Sequence, residues 1–222
     1  MNPPACLPGS PDRRTVRSRS AGWAVRLSRV LGRTRLSPNA ISLLGLAFAL
    51  AGAAGLVRLH GGGPPTRLLL VAAICIQLRL LCNLMDGMVA IEGGKGSATG
   101  ILFNEVPDRL EDVLLLVGAG LAVQMQPAGL HLGWACAVLA LGTAYVRSLG
   151  GSLGLAQDFC GPMAKPQRMF VLTLGCLVGA LEALKFDSYR ALMAALVIIA
   201  AGSLWTIARR LTRIYRQLAS RP

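Results

Sequence analysis

Residues 83–112 read NLMDGMVAIEGGKGSATGILFNEVPDRLED and set an unusual density of oxygen-bearing side chains between two apolar runs. Asn83 and Asp86 are three residues apart, so they share one face of a helix. Asn104 and Asp108 are four residues apart and share a face in the same way. The stretch therefore predicts two helices that each carry a polar face.

The segment between these helices, residues 92–99 (EGGKGSAT), is rich in glycine. Glycine lets the chain reverse and lets the backbone approach a ligand closely. Counted away from this turn at about 1.5 Å per residue, both polar pairs lie at a similar depth of about 12 to 18 Å. Two facing helices would therefore bring four side chains to one level, namely Asn83, Asp86, Asn104 and Asp108.

The composition indicates a membrane protein. Of the 222 residues, 54% are hydrophobic and only 15% are charged, and the mean hydropathy is +0.56. This is too apolar for an ordinary soluble domain. Six spans of roughly 20 residues, the length that crosses a bilayer, can be drawn. They cover about 39–58, 67–90, 101–124, 130–149, 167–184 and 189–208. The predicted fold class is an all-α integral membrane protein with six transmembrane helices.

The regions outside the spans give the rest of the domain organisation. Residues 1–20 combine Pro, Ser and Arg without an apolar core, which predicts a disordered cytosolic tail. Residues 21–36 alternate Arg with Trp, Val and Leu, which favours an amphipathic helix on the membrane surface, with a plain juxtamembrane linker as the alternative. A Ser-Pro-Asn start opens the six-helix transmembrane domain, residues 37–210. Residues 211–222 form a basic cytosolic tail.

The basic residues indicate orientation rather than nucleic-acid binding. The formal net charge is +13, but the Lys and Arg residues gather at the ends of apolar spans, and the chain has no nucleic-acid-binding motif. We therefore expect membrane lipid, and no nucleic acid, as the partner of this charge. The excess of Lys and Arg on one side places both termini and the polar cluster at the cytosolic face of the inner (cytoplasmic) membrane.

The polar stretch is similar to the signature of the class I CDP-alcohol phosphatidyltransferase family, Asp-x2-Asp-Gly-x2-Ala-Arg-x8-Gly-x3-Asp-x3-Asp. Five positions match in order and with the full gap lengths, namely Asp86, Gly87, Ala90, Gly100 and Asp108. Three positions depart from it: asparagine replaces aspartate at Asn83 and Asn104, and Ile91 stands in place of the arginine.

The resemblance implies a catalytic transmembrane domain that makes phospholipids. Such an enzyme moves a phosphatidyl group from CDP-diacylglycerol to a polar alcohol and releases CMP, with Mg²⁺ or Mn²⁺ as cofactor. Asp108 carries over as the general base. The implied metal ligands are Asn83, Asp86, Asn104 and Asp108. Asparagine supplies a neutral oxygen, so one ion and two ions both stay open.

The predicted substrate-binding residues come from the signature, its neighbours and a polar connection. They are Gly87, Ala90, Gly100, Glu105, Arg109, Arg147, Lys165 and Arg168. Arg147, Lys165 and Arg168 border the connection between the fourth and fifth spans, over 147–168, where Arg and Lys could clamp phosphates. Charges that only set the membrane topology are the alternative there.

Three other functions stay open. The departures at Asn83, Ile91 and Asn104 also suit a weakened or inactive homologue that binds CDP-lipid without turnover. The donor could instead be a soluble CDP-alcohol. A transporter could use intramembrane carboxylates, but the chain has no inverted repeat. The carboxylates could also form a purely structural salt-bridge cluster. The motif leaves the acceptor open, and the resemblance suggests a homodimer, with small residues in spans three and four that allow close packing.

Overall fold

The structure is a computed structural model, and it describes residues 21–32, 34, 36–92, 99–186 and 189–221. Over these residues the chain forms seven α-helices and no strands. They are α1 (Gly22–Gly32), α2 (Pro38–His60), α3 (Pro65–Glu92), α4 (Gly100–Ala122), α5 (Gly129–Ser152), α6 (Lys165–Glu182) and α7 (Arg190–Ala219). The all-α fold class is confirmed. The predicted tail 1–20 lies outside the described residues, and the predicted division into domains stays a prediction.

Six of the helices form a closed ring. α2 packs against α3 and α4, α3 against α6, α6 against α7, α7 against α5, and α5 against α4. The order around the ring is therefore α2, α3, α6, α7, α5, α4. The short helix α1 packs on the outside of α3, where Ala24 and Ser28 are buried. Its predicted place on the membrane surface stays a prediction.

Four of the described helices are long and apolar enough to cross a membrane, judged by length and composition. These segments are Pro38–His60, Pro65–Ala90, Gly129–Ser152 and Arg190–Ala219, and they mark the chain as a membrane protein. α4 and α6 fall outside this set, because charged residues occupy the first half of α4 and both ends of α6. Six crossings therefore remain a prediction.

Local chemistry explains where α2 begins. Ser37 has extended backbone angles and its hydroxyl accepts a hydrogen bond of 3.1 Å from the backbone N–H of Ala40. Pro38 occupies the first helical turn, where a backbone N–H has no partner within the helix. The N–H that proline lacks therefore costs no hydrogen bond. The Ser-Pro-Asn helix start that the sequence predicts is confirmed.

Two glycines let α4 and α5 touch backbone to backbone. A Cβ atom on Gly120 would lie 2.7 Å from the Cα of Gly133, and a Cβ on Gly133 would lie 2.6 Å from the Cα of Gly120. Any larger residue would push the helices apart, and in lipid such close packing is a main source of helix association. Small residues of the third and fourth spans thus pack within the chain. The homodimer stays a prediction.

Candidate active site

The charged and amide side chains of α3, α4 and α6 form two adjacent groups. We call the first the signature layer, and it consists of Asn83, Asp86, Asn104 and Asp108. We call the second the buried network, and it consists of Arg79, Glu111, Asp112 and Arg168. Three members of the signature layer border a cavity and Asp86 lies behind them. The buried network is closed to solvent apart from the edge that Arg168 presents to the same cavity.

The cavity opens inside the helix ring and has a volume of about 610 Å³. Asn83, Asn104 and Asp108 line it, and Asn104 is the most exposed of the three. Asp86 lies behind the wall and is only 3% exposed. Its charge nevertheless interacts with that of Asp108 across the two helices. The two signature aspartates are therefore within electrostatic range of each other, and Asn83 and Asn104 line the same cavity as Asp108.

Ser42 of α2 holds Asp86 in place. The Ser42 hydroxyl donates a 2.6 Å hydrogen bond to one Asp86 oxygen, and the backbone N–H of Gly87 donates a 2.5 Å bond to the other. Sequence reasoning missed Ser42. The only available signal was a small polar residue within an apolar span, because its contact with Asp86 depends on how α2 packs against α3.

Asp108 forms an ion pair with Lys165, the first residue of α6. Arg147 lies inside α5, and Arg168 lies in the first turn of α6. The predicted spans 130–149 and 167–184 already contained Arg147 and Arg168, which agrees with these helices, whereas Lys165 was expected in the connection and instead begins α6. The connection is shorter because α5 continues through Gly150 to Ser152 and α6 begins at Lys165.

Glu105 gathers two of the predicted substrate-binding arginines. It pairs with Arg109 one turn away on α4, and Arg147 donates to both Glu105 oxygens at 2.8 Å. The Arg147 guanidinium also lies 5.4 Å from the centre of the Phe159 ring. All four residues line the cavity. One carboxylate against two guanidinium groups leaves this part of the wall positive.

Arg210 is a cavity residue that the sequence did not single out. It is buried, and its guanidinium donates to the backbone oxygens of Thr143 at 2.6 Å and Cys160 at 2.9 Å. Sequence reasoning grouped it with the basic residues that set the topology. The sequence does not show that Arg210 lines the cavity, because this depends on α7 continuing to pack in the ring after its apolar segment ends. With Lys165 and Arg168 it gives the cavity three cations from α6 and α7.

The buried network joins α3, α4 and α6. Arg79 donates to Glu111 at 2.6 Å and to Asp112 at 2.5 Å, and Arg168 lies 3.2 Å from the second Asp112 oxygen. All four side chains are at most 1% exposed. Two cations face two anions, so the network is neutral as a unit. The structural salt-bridge alternative therefore describes this half of the cluster.

The remaining signature residues surround the Gly-rich turn. Gly87 and Ala90 lie in the last part of α3, and Gly100 begins α4. Residues 93–98 of the turn lie outside the described residues. Contacts between these residues and a substrate stay a prediction.

The connection between α5 and α6 carries one charged pair outside the helices. Asp158 accepts a 2.8 Å hydrogen bond from the Cys160 N–H and lies 3.3 Å from Arg213. Partial burial acts to raise the pKa of Asp158, but the hydrogen bonds from Cys160 and Arg213 outweigh it and hold the pKa below its ordinary value. Asp158 is therefore ionised at neutral pH and ties the connection to α7.

The side chains of the signature layer offer the oxygen donors that a divalent ion takes. Among the described residues, no group of three or more His, Cys, Asp or Glu side chains could hold a metal ion, but amide oxygens lie outside that count. Asp86 and Asp108 are like charges that interact, and Asn83 and Asn104 add neutral oxygens. Two carboxylates with amide oxygens are the hard donors that Mg²⁺ and Mn²⁺ take.

No protein-family model matches the chain, but curated relatives do. The phosphatidylinositol phosphate synthase of Mycobacterium tuberculosis (strain H37Rv) is 24% identical over 192 residues, which cover 85% of this chain and 84% of the relative. That of Streptomyces avermitilis is 28% identical over 194 residues, covering 84% and 75%. The archaetidylinositol phosphate synthase of Methanothermobacter thermautotrophicus is 25% identical over 193 residues, covering 85% and 88%.

Solved structures agree with the sequence relatives. The crystal structure of the M. tuberculosis phosphatidylinositol phosphate synthase with CDP-DAG bound has a TM-score of 0.71 at 24% identity, and covers 88% of this chain and 94% of that one. The same enzyme in complex with manganese and citrate gives a TM-score of 0.69 at 22% identity, covering 86% and 88%. The chain shares their fold. The resemblance seen in the sequence is thus confirmed at the level of named relatives, which are transferases of the predicted class. The two Asp to Asn exchanges and the roles of the site residues stay predictions.

Proposed function

We propose that this chain is a membrane-bound transferase that moves a phosphatidyl group from CDP-diacylglycerol to a polar alcohol and releases CMP. The observation that carries this proposal is the electrostatic proximity of Asp86 on α3 and Asp108 on α4, next to a cavity lined with cations. The named relatives and the shared fold support it. Opposed carboxylates next to arginine and lysine suit a diphosphate substrate whose charge must be held during displacement.

The reaction needs a base, and Asp108 is the residue placed for it. It lines the cavity, so it can accept the proton of the acceptor hydroxyl as that oxygen attacks the phosphorus of the phosphatidyl group. The bond from phosphorus to the CMP oxygen breaks, and CMP leaves with the electron pair. The ion pair between Lys165 and Asp108 also sets a positive charge at this wall of the cavity.

Asp86, Asp108, Asn83 and Asn104 would hold the divalent ion. When bound, Mg²⁺ or Mn²⁺ neutralises and polarises phosphate oxygens. The Ser42 hydroxyl orients Asp86 for this role through its 2.6 Å hydrogen bond. A relative in fold has been solved with manganese, which supports the choice of ion.

The acceptor is best sought among phosphorylated polyols. The sequence relatives are named for inositol phosphate products. In this chain Lys165, Arg168 and Arg210 line the cavity beside Asp108, and three cations are more than a neutral alcohol requires. We therefore propose an inositol phosphate, or an alcohol phosphate of similar size, as the acceptor.

We place the site at the cytosolic side of the inner membrane, with all six ring helices crossing. The closed ring supports this placement, because α4 and α6 each pack between two helices that are apolar enough to span. Their charged residues point to each other and to the cavity, as charged groups within a bilayer are expected to do. Cysteine-accessibility labelling of the two chain ends in sealed vesicles would test the orientation.

The decisive test is release of radiolabelled CMP from CDP-diacylglycerol by purified protein with Mg²⁺ and a panel of alcohols. We expect release with a phosphorylated polyol, loss of release with EDTA, and loss in an Asp86→Ala variant. Isothermal titration of Mn²⁺ onto the parent protein and this variant reports the metal separately. Equal metal binding by both proteins would contradict the assignment of Asp86.

A second candidate is a homologue that binds CDP-lipid with little or no turnover. Two observations favour it: the Asn83 amide nitrogen is already bonded to Glu111, and Lys165 is paired with Asp108. Saturable binding of CDP-diacylglycerol without CMP release, across the whole panel, would select this function. Release of CMP from a soluble CDP-alcohol in the presence of a lipid acceptor would instead show that the donor is soluble and the acceptor is the lipid.

A further inference from the structure

The connection between α5 and α6, residues 153–164, forms part of the cavity wall. Its residues Phe159 and Ala164 line the cavity, and Phe159 is partly buried. The centre of the Phe159 ring lies 5.4 Å from the guanidinium carbon of Arg147. At distances up to about 6 Å, the face of an aromatic ring attracts a cation. The connection therefore brings an aromatic ring to one of the cavity arginines.

Glu105 holds the same arginine from α4. The Arg147 Nη2 atom donates hydrogen bonds of 2.8 Å to both Glu105 oxygens, and all the hydrogen bonds of Arg147 with described residues start at this atom. The guanidinium group is planar and carries five N–H donors. A carboxylate and a ring that contact the same group restrict its rotation, so the donors that remain keep one direction. A planar fork held in this way suits bidentate binding of a phosphate.

The end of α7 fixes the connection that carries Phe159. The Arg210 Nε atom donates a 2.9 Å hydrogen bond to the backbone oxygen of Cys160, the residue after Phe159. One turn earlier on α7, the Thr206 hydroxyl accepts a 3.0 Å hydrogen bond from the backbone N–H of Met163. Two successive turns of α7 therefore hold the backbone next to the ring.

Gly161 allows this close contact between the connection and α7. Its φ angle is +120°, in the region that side chains disfavour. A Cβ atom at this position would also lie 2.5 Å from the Cγ2 atom of Thr206. The backbone can therefore lie directly on α7 only with glycine at residue 161, and the ring of Phe159 is presented from a fixed segment.

We propose that Phe159 is a positioning residue, which holds the Arg147 guanidinium in the direction that binds a phosphate group of the substrate. The ring acts on one side of the guanidinium and Glu105 acts on another. The inference deepens the proposed function and rests on it, because the phosphate belongs to a substrate of that reaction. It adds a residue that lies outside the signature and outside the charged side chains of the cavity.

The first test is the affinity for inorganic phosphate, measured by isothermal titration on purified full-length protein in a non-ionic detergent. We expect Phe159→Leu to weaken binding by about 2- to 30-fold, the range expected for the loss of one cation–π contact. Phe159→Trp keeps an aromatic face and should bind phosphate about as tightly as the parent. Phe170→Leu is the matched control, because it makes the same change at an exposed position of α6 that does not line the cavity.

A double-mutant cycle with Arg147→Met shows whether Phe159 acts through Arg147. Lys165, Arg168 and Arg210 also line the cavity, so phosphate binding should remain measurable in the Arg147→Met background. In that background we expect Phe159→Leu to cause no further loss. A purely structural role of the ring would weaken binding equally in both backgrounds.

Replacement of Phe159 by trifluorophenylalanine tests the same contact without a change of shape. Fluorine weakens the negative face of the ring that attracts a cation. We expect a phosphate affinity between those of the parent and Phe159→Leu. This measurement decides the question even if Phe159→Leu does not fold, because the fluorinated ring fills nearly the same space.

The CMP-release assay identifies which substrate carries the phosphate. Phe159→Leu should raise a KM and leave kcat close to that of the parent, because a positioning residue for binding does not touch the reacting atoms. A higher KM for the alcohol phosphate assigns Arg147 to the acceptor. A higher KM for CDP-diacylglycerol assigns it to the diphosphate of the donor.

The outcomes separate the inference from the proposed function. Equal phosphate affinities of the parent and both altered rings, or equal losses in the two backgrounds of the cycle, overturn the inference even if the parent releases CMP. Absence of phosphate binding by the parent also overturns it. Phosphate binding that follows the cycle, without CMP release from any donor, supports the role of Phe159 and overturns the proposed function.

Discussion

Asp108 and Asp112 are one helical turn apart on α4, but their burial and their cation partners differ. Asp112 is 1% exposed and is held by two guanidinium groups, from Arg79 and Arg168. Asp108 is 14% exposed, borders the cavity, and is paired with a lysine. The same residue type therefore stabilises the bundle at one level and remains available to a ligand at the next.

The nature of the cation explains the difference. Arginine offers a planar fork that matches carboxylates and stays charged when buried, so Asp112 is fixed between rigid partners. Lysine carries a compact charge on a flexible stem, so Lys165 can move when an ion or a phosphate arrives. The comparison predicts that changes at Asp108 alter the reaction, whereas changes around Asp112 alter the stability of the fold.

Asp108→Asn should have the largest effect and should act mainly on the reaction. Loss of a general base costs typically 10²- to 10⁴-fold in rate, so we expect CMP release to fall by about that factor while the melting temperature stays close to that of the parent. The measurement is initial-rate CMP release together with thermal unfolding in detergent. Asp158→Asn makes the same change in the α5 to α6 connection and serves as the control. Retained activity would remove the functional difference between the two aspartates.

Arg79→Ala should act on the fold. It leaves Glu111 and Asp112 with Arg168 as their remaining buried cation, and breaking a buried pair costs about 3 to 5 kcal/mol. We expect a marked loss of folded protein and a lower melting temperature. Arg58→Ala, at the exposed end of α2, is the matched control. Equal melting temperatures for the two variants would mean that the buried network contributes little.

The sequence alone located the helices well because their signals are local. Apolar runs, a Ser-Pro start and Gly or Pro turns placed the six long helices, with α7 the main difference. α7 was expected to end near residue 208 but continues to Ala219, because its basic end still buries Ile214.

The partners of the carboxylates could not be predicted in the same way. The signature identified which positions of α3 and α4 carry oxygen ligands, but not which cation each one faces. That depends on the ring order, in which α3 packs against α6. This order brings Lys165 to Asp108 and Arg168 to Asp112. Such contacts between distant parts of the chain leave no periodic pattern in the sequence.

Ser42→Ala should have a moderate effect on the signature layer. The variant removes the 2.6 Å hydrogen bond to Asp86. A bond to a charged group is worth about 1.5 to 3 kcal/mol, so at the lower end we expect about a tenfold loss of CMP release. The matched control is Ser203→Ala, because this buried hydroxyl of α7 has no hydrogen-bond partner among the described residues. If both alanine variants react at the parent rate, Asp86 does not need Ser42 for its orientation.

Asp158→Asn should have the smallest effect, and its size should depend on pH. The folded chain lowers the pKa of Asp158, so the stability that its charge contributes is present at neutral pH and is lost as pH falls through the folded-state pKa. The pair with Arg213 is exposed to solvent, so the contribution is small. Thermal unfolding of parent and variant at pH 7 should differ slightly, and the difference should vanish at low pH. A difference that grew on acidification would mean that burial, and not the hydrogen bonds, dominates the environment of Asp158.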